Sequence, residues 1–178
     1  MSFHDRLPRA RQVAPVYAII VLVLYSWTVT WFFWKLSSWI FYLNTAEILT
    51  ILAYALTVNL GESLLVVLAP IGLSLLLPRT WFLGDFVARG TALVLPGLLF
   101  LVFVAFQFEG RDQWHQTLVM RLALPVAFLT LLLMMAVGKW PWLRSFLEGL
   151  SDRATIFLYV SIPASTVALL VVVVRNLA

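Results

Sequence analysis

The sequence predicts an all-α integral membrane bundle of five spanning helices, and three observations predict it. Of the 178 residues, 63% are hydrophobic and only 11% charged, against about 25% charged in a soluble domain. Several apolar runs reach the ~20 residues that a spanning helix needs. The runs are continuous Leu, Val and Phe, without the alternation of a membrane-barrel strand. One domain is expected over 13–178, behind a basic tail at 1–12.

The tail carries Arg6, Arg9 and Arg11 against Asp5 and precedes a first span at 13–34. This run is longer than a signal-peptide core and ends in TWFFWKLSSW rather than a small-residue cleavage site. It reads as a retained signal-anchor with a cytoplasmic N-terminus. Trp27, Trp31, Trp34 and Trp39 crowd its far end, where interfacial anchors are expected.

The second run, 44–77, holds two polar pairs, Asn44 with Glu47 and Asn59 with Glu62. One long or kinked helix is the first reading and a hairpin turning at 59–62 the second, which would give six spans. Charge favours the single helix. It gathers Arg6, Arg9, Arg11, Arg79, Arg89, Lys139, Arg144 and Arg153 on the tail's side and leaves Lys35, Arg111, Arg121 and Arg175 opposite. A hairpin evens that split. Length favours the hairpin, because a helix over 44–78 is about 50 Å long against a core of about 30 Å.

Pro78, Arg79 and Trp81 close this span. Further spans follow at 91–107, 118–137 and 154–174, the second with Arg121 one turn in, close enough to snorkel. Between the last two, Trp142, Leu143, Phe146, Leu147 and Leu150 share one helical face, with Arg144 and Glu148 opposite at i,i+4. The expectation is a short amphipathic helix over 141–150 in the membrane surface, with Pro141 at its start and Gly149 at its end. Ser151 is then the expected N-cap of the last span. Pro15, Pro70, Pro96, Pro125 and Pro163 fall in or at the entry of the spans, where kinks that shape packing are expected.

On a continuous helix, Asn44, Glu47, Asn59 and Glu62 fall in one stripe about 120° wide at 100° per residue. A carboxylate inside a span costs roughly 2.5–3.5 kcal/mol or more at its centre, so this stripe should face protein. Packing is the plainer reading, an ion or proton path or a partner-binding face the sharper one. Glu47 and Glu62 are about 22 Å apart along the axis, too far to form one catalytic pair or metal site.

Other chemistry finds no motif. There is no cysteine, hence no disulfide or thiolate site. His4 and His115 have no second histidine at ligand spacing, and no phosphate-binding loop, nucleophile elbow or dinucleotide fingerprint occurs. No cofactor, metal or catalytic residue is expected. Basic residues in tail and loops fit topology rather than nucleic acid, leaving the lipid bilayer and other membrane proteins as partners. The expected function is association, as a scaffold or accessory subunit in a bacterial cytoplasmic membrane. A small carrier or proton-coupled transporter using the four polar residues is the alternative. A lipid-acting membrane enzyme at the 109–115 loop, with Glu109, Asp112 and His115, is the weakest.

Overall fold

The computed structural model describes residues 7–108 and 116–177, and every regular element among them is helical. In chain order these are α1 (Ala10–Trp39), α2 (Thr45–Leu76), the single turn α3 (Arg79–Phe82), α4 (Phe86–Phe108), α5 (Gln116–Lys139), α6 (Pro141–Ala154) and α7 (Ile156–Leu177). Helices α1, α2, α4, α5 and α7 are long and apolar enough to cross a membrane.

The long polar-studded run is one helix. Asn59, Leu60, Gly61 and Glu62 are all helical within α2, which excludes the hairpin and the sixth span. The physical reason is local: 59–62 contains no turn-forming dipeptide, and a lone glycine costs a helix only ~1 kcal/mol. Pro70 sits inside α2 without ending it. At 32 residues α2 is about 48 Å long, so tilt or its ends must take up the excess over the core.

The start of α2 is fixed by its own sequence. The Asn44 side chain accepts from the Glu47 backbone N–H at 2.9 Å, and Glu47 accepts from the Asn44 backbone N–H at 2.8 Å. This reciprocal capping box satisfies two donors that would otherwise be orphaned at the helix end. Asn44→Ala is therefore expected to cost about 1 kcal/mol, measured by thermal unfolding in detergent, with Asn44→Ser close to the parent. Equal stability of the Ala and Ser variants would show the cap to be idle.

Short connections alternate the chain direction and give the bundle two ends. The basal end holds the start of α1, the 76–86 connection and all of α6; the far end holds Trp39, Asn44 and the close of α7. The core lies in the basal half, where Val16, Ile19 and Ile20 of α1 meet Phe82, then Phe86, Ala88 and Ala92 of α4, and Val137 of α5. Helix α1 is central, packed on α2, α4, α6 and α7. Helices α5 and α7 are peripheral, with 6% and 11% of their spanning windows buried, which leaves their flanks for lipid.

Close approach at the basal end depends on two glycines. A Cβ on Gly90 would lie 3.0 Å from Val16 Cγ2 and 3.7 Å from Pro70 Cβ, so glycine here lets α1, α2 and α4 converge. A Cβ on Gly138 would stand 2.6 Å from the Arg89 guanidinium. Hydroxyl pairs then tie the helices: Tyr17 to Ser63 at 3.0 Å, Tyr25 to Ser165 at 2.5 Å and Thr91 to Ser151 at 2.7 Å. Such bonds average about 0.6 kcal/mol each in a membrane.

Helix α6 differs from its expectation in three ways. It runs on through Gly149 to Ala154, so Ser151 lies within it and caps nothing. Ser151 is buried and bonds Thr91 and the Leu147 carbonyl, because the residue meets α4 before α7 begins. The apolar face also divides: Leu147 is buried in the core with Leu143 and Leu150 beside it, while Trp142 and Phe146 stack on each other in the open at 5.9 Å. Pro141 at the first turn and the Arg144–Glu148 pair at 2.9 Å are as expected.

Candidate functional site

Above the Gly90 contact, α2 and α4 are separated by a crevice whose floor is α1. It is lined by Leu24, Trp27, Thr28 and Trp31 of α1, Ala55, Val58, Asn59 and Glu62 of α2, Phe100, Leu101, Val104 and Ala105 of α4, and Val119 of α5. Its volume is about 610 Å³, and a second lobe of about 430 Å³ shares Leu24, Trp27, Glu62, Leu101 and Ala105 with it. Both lobes lie within the ~300–1,000 Å³ typical of ligand sites. The walls are almost wholly apolar.

Polar groups in the crevice have unequal fates. Asn59 is buried and forms a reciprocal pair with Thr28, donating from Nδ2 at 2.8 Å and accepting on Oδ1 at 3.1 Å. Its amide therefore joins α2 to α1, as polar glue does between membrane helices. Glu62, one turn on, has no hydrogen bond or ion pair among the described residues. Glu62 lines both lobes close to the midpoint of α2 and is exposed, as are Asn44 and Glu47, so of the stripe only Asn59 faces protein as expected. No basic side chain lines either lobe among the described residues.

The four residues of the sequence stripe are thus not one site. Asn44 and Glu47 form the cap at the far end, Asn59 is a helix–helix tie, and only Glu62 faces open volume. Trp27 and Trp31, both half-buried, line the crevice, while Trp34 at the far end is 56% exposed. Thr28 and the place of the two indoles on the crevice went unread in the sequence, because a span apolar on every side carries no mark of its buried face. His4, Glu109, Asp112 and His115 lie outside the described residues. Among the described residues no three His, Cys, Asp or Glu side chains gather as metal ligands do.

A second polar group sits at the basal end. Arg89 is buried, donates to the Trp81 carbonyl, stacks 4.5 Å from the Trp81 ring centroid and pairs with Asp85 at 3.5 Å. Asp85 also binds Arg144 at 2.5 Å, and Arg144 binds Glu148 at 2.9 Å. The chain of charges fastens α6 across the end of α4. The Glu148 hydrogen bond, and then the Asp85 charge, hold the Arg144 guanidinium above its usual pKa. The sequence put Asp85 and Arg89 in a short loop before Gly90, and neither their pairing nor the link to Arg144 was read there.

The fold is an all-helical bundle with five helices long and apolar enough to span a membrane and an open crevice between α2 and α4. The chain matches no protein-family model, no curated protein and no solved structure.

Proposed function

We propose that this is a multi-pass protein of a bacterial cytoplasmic membrane that acts by association, as an accessory or scaffold subunit, with the Glu62 crevice as its contact site. The observation that carries this is a carboxylate near the midpoint of α2 that lines a cavity and has no hydrogen-bond or ion-pair partner among the described residues. Such a group is expensive in hydrocarbon and defaults to a function. An incoming component that brings a hydrogen-bond donor removes that cost.

Orientation follows charge. Arg9, Arg11, Lys139, Arg144 and Arg153 belong to the basal end, against Lys35, Arg121 and Arg175 at the far end. The positive-inside bias then puts the basal end in the cytoplasm and makes α1 a signal-anchor. Glu62 alone favours the rival carrier reading. Against it stands the basal half, where Val16, Ile19, Ile20, Phe82 and Phe86 are at most 1% exposed and pack closely below the crevice. Binding without passage fits that packing better.

The test is photo-crosslinking in native membranes from p-benzoylphenylalanine placed at Val58 or Leu101 in the crevice, or at Leu170 on the outer flank of α7. A discrete adduct is expected from 58 and 101, absent from 170 and lost in Glu62→Gln. Glu47→Gln, whose amide still caps α2, should change nothing. The same adducts from all three sites, or indifference to Glu62→Gln, would sink the reading.

A further inference from the structure

We infer that the crevice takes a lipophilic ammonium ion, its cationic nitrogen on Glu62 and its apolar body between α2 and α4. This rests on the reading that the crevice is the contact site and adds the chemistry of what enters it. Three features select that class. Among the described residues the one ionisable group lining both lobes, Glu62, is an acid, so the complementary charge is positive. Trp27 lines both lobes and Trp31 the larger, and indole faces attract cations, ammonium ions among them, most strongly when water is excluded. All other contributors to the smaller lobe are Leu, Val and Ala, which suit a hydrocarbon body and offer no second polar anchor.

Depth and wall chemistry exclude closer rivals. Glu62 lies near the middle of α2, roughly 20 Å or more from either end. The ammonium of a phospholipid stays in the headgroup zone, about 15 Å from the bilayer centre, and does not reach it. A molecule whose charge can itself enter the core does. A polar cation of the same charge has nothing to offer walls made of Leu24, Val58, Val66, Leu98 and Leu101.

The experiment is photolabelling of the full-length protein in phosphatidylcholine nanodiscs with an alkyl dimethylamine probe bearing a diazirine in its chain, because an amine can cross hydrocarbon in its neutral form and bind as the ammonium. The control probe is the analogue with an isopropyl group in place of the dimethylamino group, which cannot take up a proton, and labelled residues are mapped by mass spectrometry. Labels are expected on α2 at 58–66 and on α4 at 98–105. The isopropyl probe on the parent protein, and the amine probe on Glu62→Gln, should each label there about tenfold less, the worth of one charged contact. The isopropyl-probe comparison needs no variant and so does not depend on the folding of Glu62→Gln. Equal labelling by the two probes, undiminished labelling of Glu62→Gln, or labels confined to other helices would overturn the inference. If the amine probe fails while the crosslinks from 58 and 101 still require Glu62, the crevice remains the contact site and only the ligand class falls. If neither depends on Glu62, both fall.

Discussion

Asp85→Asn is expected to destabilise the bundle by about 3–5 kcal/mol, the usual loss when one partner of a buried ion pair is removed. Arg89 is buried, with its Nε already lacking a partner. Without the Asp85 carboxylate, its only counter-ion among the described residues, a full positive charge is stranded beneath α6. The reverse change is milder. Arg89→Met leaves Asp85 with Arg144 at 2.5 Å, so no charge is orphaned. Arg144→Gln should matter least, because that side chain is 45% exposed and exposed pairs contribute about 0–1 kcal/mol. Thermal unfolding in one detergent ranks the three. If Asp85→Asn proves no worse than Arg144→Gln, the buried pair is not what secures α6 to α4.

Phe86→Ala is expected to lose a comparable amount, about 3–5 kcal/mol, from deleting a buried aromatic ring and leaving the space it filled. Phe86 is 1% exposed and meets the equally buried Phe82 edge to face at 5.6 Å. The site has no slack, since α1, α4 and α6 converge there and the far half of the bundle opens into the crevice. Collapse around the lost ring would require moving those helices together. Phe128→Ala on α5, where the ring is 63% exposed, should leave stability almost unchanged, and the two variants are compared by the same melting experiment. Near-equality of the two would mean that the basal core is not the keystone of the fold.

How much of this was legible beforehand depended on whether the signal was local. Span number and position follow from apolar length, and the observed helices bracket or nearly match each run from 13–34 to 154–174. The Arg144–Glu148 pair and Pro141 at its helix start were legible because both act within a turn or so of chain. The cap at Asn44 has the same local character, yet it was read as part of a stripe, since a three-residue spacing suits both. Ser151 was misassigned for the opposite reason: serine is an ordinary N-cap by itself, and only α4 reveals that its hydroxyl is committed to Thr91.

The sequence by itself determined that this chain is a bundle of five membrane-length helices, because transfer from water to hydrocarbon depends on composition and length, not on neighbours. The tertiary structure decided which of two similar glutamates caps a helix and which faces a cavity. It also set Trp27 and Trp31 along the crevice and joined Asp85 to Arg144, far apart in the chain. In water a polar face marks which side of a helix is exposed; in lipid both sides are apolar, and burial is decided by packing alone.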